Sequence, residues 1–396
     1  MPWNTFSLVG VRQKLVELVL ARRHSLQSLA RRFGVSRKTA YKWLGRFRRR
    51  GAAGLRDRSR RPSRSPRQLS AFWIRRILHW RRHRPHWGAR KIRHHLRRLF
   101  PRRRLPCVRS IHRCLQRHQR VRRRIRRARK GPKLPAPGLT RARRPNHVWT
   151  VDFKGWFRTA DGQRQEPLTV RDLHSRYGLC LRLLPNQDDA VVRRVFQRLF
   201  RQRGLPDIIR VDNGSPFAGT GALGLSRLSV WWLRLGIRVE FTRRARPGDN
   251  AAHEQFHGCY QREGVDCGDA QRAAAQRRAD RWRRQYNTDR PHEALEGRTP
   301  ANLYRPSRRV YPASLPPLKY PQNWAVRHVR NRGHIKWQGR LRFIGRAFVG
   351  QTIGLKALRS EQWAVYLGRQ LIGHLHARDA AGLRPARWER RRALNL

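Results

Sequence analysis

"VWTVDFKGWF", residues 148–157, sets a single carboxylate, Asp152, among Val148, Trp149, Val151 and Phe153. The alternation predicts a β-strand, and the "TADG" that follows is a turn signal. Acids are scarce in this chain, which has 23 Asp+Glu against 94 Lys+Arg. A carboxylate in an apolar strand is costly unless something compensates its charge, so Asp152 is a candidate functional residue.

The segments around it predict an α/β domain over residues 146–310. "PLTVRDLHS" and "YGLCLRLL" are two further strands, and "DAVVRRVFQRLFRQRG" is an amphipathic helix ending at Gly204. "DIIRVDNG" is a short strand that stops at Asp212-Asn213-Gly214. "LSRLSVWWLRLG" is a helix, "IRVEFT" a strand and "NAAHEQFHGCYQRE" a helix. The order β-β-β-α-β-α-β-α is that of a mixed sheet covered by helices. Asp212 falls at a strand end, where open α/β sheets gather their chemistry. Two carboxylates on adjacent strands repel unless a cation lies between them, and oxygen-only ligands favour Mg²⁺ or Mn²⁺. Glu254, on the helix after "RPGDN", is the best third acid.

The flanking regions are basic. Residues 1–53 predict helices, with "SLQSLARRFGVSRKTAYKWLGRF" spaced as a helix-turn-helix: Ser25 and Ser36 as caps, Gly34 as the turn. Arg37, Lys38 and Lys42 would then face the DNA major groove. Residues 54–70 form a basic linker, and residues 71–121 a second helical DNA-binding unit with Ser110 capping its last helix. Residues 122–145 form a Pro-containing basic linker. Beyond 320, short strands at regular spacing suggest a small β-barrel over 320–380, followed by a basic tail, 381–396.

The formal net charge of +71 calls for a polyanion, and nucleic acid is the evident one. Five cysteines without a CxxC pair read as thiols in a reducing compartment. Neither a membrane span nor a secretion signal is apparent, so a cytoplasmic, nucleoid-associated protein is expected. His83, His86, His94 and His95 lack finger-spaced cysteines and read as ordinary histidines.

With these motifs in view, nearly the whole chain resembles an insertion-sequence transposase with a retroviral-integrase-type catalytic core, the DDE superfamily. "HVWTVDFKGWF" and "VDNGSPF" resemble the strands of the first two acids, "NAAHEQFH" the third-acid helix, and "YNTDRPHEALEGRTPANLY" the tail of the core. The opening "MPW" and the "WGARKIRHHL" unit are similar to the same kind of protein. The resemblance implies an RNase H-like core whose catalytic and metal-holding triad is Asp152, Asp212 and Glu254, with two Mg²⁺ (or Mn²⁺) ions. It also implies double-stranded DNA as partner, both element ends and target, and a dimer or larger assembly on that DNA. The chain departs from the family at Asn250-Ala251, where an Asn-Gly pair is usual, at Gly258 inside a helix, and in the insert "AGTGALG".

Two other functions compete. A catalytically inactive, transposase-derived DNA-binding protein or repressor would share the frame. "HEQFH", residues 253–257, also satisfies H-E-x-x-H, the pattern of a zinc metalloprotease, with Glu263 as the nearest further acid.

Overall fold

The computed structural model describes residues 7–59, 68–121, 138–243, 247–265, 268–359, 361–378 and 382–386. Most of the expected linker over 122–145, the opening "MPW" and most of the basic tail lie outside the described residues. The chain divides into two compact units, Met1–Gln68 and Leu69–Leu396.

In the first unit, α1 (Leu8–Leu20), α2 (Leu26–Arg32) and α3 (Arg37–Arg50) form a three-helix bundle. The Ser25 side chain accepts from Ser28 N and that of Ser36 from Thr39 N, so both expected caps are in place. Gly34 turns the chain at φ +64. Leu15, Leu29, Ala30 and Ala40 bury against one another, while Val16, Trp43, Leu44 and Leu55 form a second cluster.

The second unit begins with three helices, α4 (Ala71–His83), α5 (Ala89–Leu99) and α6 (Val108–Arg117), closed around Ile77, Trp87, Ile92, Leu96, Ile111 and Leu115. Here the expectation for Ser110 is corrected. The cap of α6 is Cys107, whose sulfur accepts from Ser110 N at 3.4 Å, so Ser110 lies inside the first turn.

The mixed sheet follows. Its strands are β1 (Val148–Phe153), β2 (Phe157–Arg158), β3 (Arg164–Asp172), β4 (Gly178–Leu184), β5 (Ile208–Val211) and β6 (Arg238–Phe241). Their order is β4-β3-β1-β5-β6, with the short β2 also on β3. β3 is antiparallel to β1 and β4, whereas β1, β5 and β6 are parallel. The helices are α7 (Asp189–Arg203), α8 (Arg227–Arg234), α9 (Ala251–Glu263), α10 (Arg272–Thr288) and the short α11 (Pro300–Leu303). Trp149, Val151, Ile209 and Val211 pack with Phe196, Phe200 and Trp232 of α7 and α8. On the other side Leu181 meets Phe256 and Tyr260 of α9 and Trp282 and Tyr286 of α10. The insert at 218–224 folds inward, with Ala222 and Leu223 buried in the main core.

The C-terminal strands are β7 (Ala325–His328), β8 (His334–Trp337), β9 (Arg340–Phe343), β10 (Thr352–Arg359), β11 (Gln362–Leu367), β12 (Gln370–His376) and β13 (Arg384–Pro385). They do not pair as the expected barrel. Among the described residues they make an open sheet, β13-β12-β11-β10-β7, and a separate β8–β9 hairpin. The apolar face has another cover. Ile353, Leu355, Val365, Leu367, Ile372 and Leu375 join the same continuous core as Trp231 and Leu233 of α8, so the sheet buries that face without curling onto itself.

Candidate active site

β1 and β5 run parallel with Thr150 opposite Arg210. The pairing ends there, and Asp152 and Asp212 each follow it by two residues, at the C-terminal ends of adjacent strands. Strand alternation puts both on the face that α9 covers, opposite Trp149 and Val151. The Asp152 carboxyl is pushed up to about 7, first by burial, then by the charge of Asp212 and, less, by that of Glu254.

Asp212 is exposed, and its Oδ1 accepts from Gly214 N at 3.2 Å. A Cβ on Gly214 would lie 3.1 Å from Asp212 Oδ2, so the backbone turns tightly against the carboxylate. Asn213 Nδ2 donates to Thr242 O at 2.5 Å and ties this turn to the end of β6. Glu254 is exposed in the first turn of α9. Asn250, immediately before α9, donates from Nδ2 to Asp152 Oδ2 at 2.9 Å and so links the third candidate's helix to the first candidate's strand.

A buried network that the sequence did not reveal fixes α9. Thr169 Oγ1 donates to Asp152 O at 2.9 Å and lies 2.6 Å from His253 Nε2 and 2.7 Å from His257 Nε2. A hydroxyl has one hydrogen. With that hydrogen on Asp152 O, both imidazoles must donate from Nε2, and His253 Nδ1 then accepts from Thr150 Oγ1 at 2.7 Å. Arg171 NH1 donates to Ala252 O, holding the same turn of α9. Burial drives His257 down to about 3 and His253 well below its ordinary value, so both are neutral. These contacts use both ring nitrogens of His253, and Glu263 pairs with Arg290 at 2.5 Å. The H-E-x-x-H pattern here is a structural clamp on α9.

Among the described residues, no group of three or more His, Cys, Asp and Glu side chains is gathered to hold a metal ion. The pair Asp152 and Asp212 nonetheless suits one by donor chemistry. Both are oxygen donors, and the raised Asp152 carboxyl marks charge left uncompensated. Mg²⁺ keeps several of its own waters and often takes only one or two carboxylates. In the first unit Arg37, Lys38 and Lys42 are exposed on α3, joined there by Tyr41 at 57 % exposure, which sequence reasoning missed.

Comparison with known families matches a helix-turn-helix domain over residues 11–63 and a homeodomain-like domain over 39–115. Integrase core domains match over 142–247 and 235–300, and an IS481 family transposase C-terminal domain over 324–380. An uncharacterized 31.7 kDa protein of insertion element IS407 from Burkholderia multivorans is 28% identical over 181 residues, 46% of this chain and 63% of the relative. An uncharacterized 39.2 kDa protein of insertion element IS476 from Xanthomonas euvesicatoria is 28% identical over 171 residues, 43% and 47% of the two chains. This chain thus spans under two thirds of each relative's length. Among solved structures, the HTLV-2 integrase catalytic core domain in complex with magnesium aligns at 13% identity and TM-score 0.33, covering 42% of this chain and all of that one. The simian T-cell lymphotropic virus intasome in complex with PP2A regulatory subunit B56 gamma aligns at 14% and 0.34, covering 61% and 82%. No helix among the described residues is long and apolar enough to cross a membrane.

Proposed function

We propose that this chain, which matches helix-turn-helix domains, integrase core domains and an IS481 family transposase C-terminal domain, is a transposase that binds the ends of its insertion sequence and catalyses metal-dependent strand cleavage and strand transfer. The observation that carries this reading is the pair Asp152 and Asp212, at the C-terminal ends of adjacent parallel strands, with Asp152 raised first by burial and then by its neighbour's charge.

In this reading Asp152 and Asp212 hold divalent metal, Mg²⁺ or Mn²⁺, and Glu254 at the head of α9 completes the set. Bound metal supplies activation of the attacking oxygen and neutralisation of charge at phosphorus in an in-line displacement. The protein's own part is placement. The Gly214 turn holds Asp212 at the strand end, and Asn250 orients the Asp152 carboxylate. The Thr169 clamp seats the helix of Glu254 on the sheet. Water is the first nucleophile, and the 3′-hydroxyl it frees is the second; no protein nucleophile is required. Arg37, Lys38 and Lys42 contact the element ends, and the basic surfaces of the core and C-terminal sheet hold phosphates. Joining two ends calls for at least a dimer on the DNA.

The test is a joining assay with Mg²⁺, using linear DNA that carries the sequences flanking the gene together with a target plasmid. Wild type is expected to yield nicked and joined products. Asp212→Asn is expected to bind the ends and make neither. Equal product from both proteins would remove the assignment, and binding without cleavage by wild type would favour the inactive DNA-binding relative.

A further inference from the structure

The strand that carries Asp152 does not end simply. Phe153 pairs with Leu168, and Lys154 N donates to Pro167 O. Pairing resumes with Phe157 opposite Gln165. One more residue is used on the first strand than on its partner, which is a β-bulge, and Gly155 within it adopts φ +90. Bulges beside active sites re-aim side chains out of the regular alternation.

The side chain so displaced is Trp156, which is 54 % exposed. Two guanidinium groups stand against its ring, Arg164 at 4.9 Å from the centroid and Arg158 at 5.8 Å. Neither is loose. Arg164 Nε donates to Glu166 Oε1 at 2.6 Å, and Arg158 NH1 donates to Gly162 O at 2.6 Å. An exposed indole costs free energy in water, and nothing in the apolar cores requires it here. A flat aromatic face with fixed cations at its edges matches a nucleobase on its phosphate backbone, base on ring and phosphate on guanidinium. Trp156 lies four residues beyond Asp152 in the chain, in the connection between β1 and β2.

We infer that Trp156, with Arg158 and Arg164, is a stacking platform for an unpaired nucleobase of the DNA, holding it out of the duplex. The inference rests on the DNA-cleaving reading above, and the test separates the two. Full-length protein is titrated with two DNAs at low salt. One is a blunt duplex of the element end; the other is the same duplex with a short single-stranded overhang carrying 2-aminopurine. Wild type is expected to bind the overhang duplex more tightly than the blunt one and to quench its fluorescence. Trp156→Ala is expected to lose the quench and most of that preference, on the order of tenfold. Trp156→Phe is expected to keep much of both, and thermal melting reports the folding of each variant. Quench and preference retained in Trp156→Ala, or absent from wild type while the blunt duplex binds, overturn the platform and leave the DNA reading standing. Failure of wild type to bind either DNA removes both.

Discussion

Thr169 Oγ1 lies 2.6 Å from His253 Nε2, a contact between the third strand of the sheet and the helix that bears Glu254. Because the same oxygen also meets His257 at 2.7 Å, Thr169→Val would leave two imidazole N–H groups without an acceptor. A buried donor left unpaired costs about 1–3 kcal/mol. Thr169→Val is expected to lower stability by that order and Thr169→Ser to restore most of it, as read from denaturant midpoints. An unchanged midpoint in the valine variant would show that the hydroxyl holds nothing.

Asp152 predicts how metal-free stability follows pH. Its native value of about 7 lies above its ordinary value of 3.8. Between those values the folded chain binds more protons than the unfolded one. Stability conferred by this group is therefore full below about pH 4 and is lost as pH rises through 7. Asp152→Asn is expected to abolish that part of the slope and to raise the melting temperature of metal-free protein at about pH 8. Divalent metal should reverse the wild-type loss at the same pH.

His95 titrates with the opposite sign. It sits between Trp80 and Trp87, with ring centroids at 4.0 and 5.3 Å, and burial lowers it from 6.5 to about 4. The stability it confers is present above about pH 6.5 and is lost as pH falls towards 4, because the unfolded chain takes up the proton first. His95→Phe keeps an aromatic ring in the cage and is expected to flatten the drop in melting temperature between about pH 7 and pH 5. A drop as steep as wild type's would place the acid sensitivity elsewhere.

Arg210 and Glu240, on neighbouring parallel strands, form a buried ion pair at 2.6 Å, and Thr140 N donates to Glu240 at 2.8 Å. Removing one partner strands a buried charge at a cost of about 3–5 kcal/mol, whereas an apolar pair of similar volume can be neutral. Glu240→Leu is expected to show that loss in chemical denaturation. The double variant Arg210→Met with Glu240→Leu is expected to recover most of it.

What could be read from the sequence follows the range of the forces involved. Ser25 and Ser36 cap helices whose first N–H groups lie three residues away, so their roles are written locally. The mixed sheet was legible from alternation, and Asp152 and Asp212 stood out against their apolar neighbours. Asp172 looks much the same in sequence, yet its carboxylate accepts from Ser175 and Asn146 and anchors a turn. Only the fold separates the two cases. Thr169 gave no signal because its two histidine partners are more than eighty residues away. The cap of α6 was misread because a thiol is an unusual N-cap. The barrel was misread because an alternating strand carries the same pattern whether its sheet closes on itself or lies on a helix.

That shared core bears on what truncation would do. The C-terminal sheet and α8 bury their apolar faces in one cluster, from Trp231 and Leu233 to Ile353 and Leu375. Truncation ahead of Thr352 is therefore expected to disturb the core as well as to shorten the chain. It would leave the apolar residues of the main core that these strands cover open to water. Loss of the last segment is thus expected to cost more stability than the removed strands alone would supply.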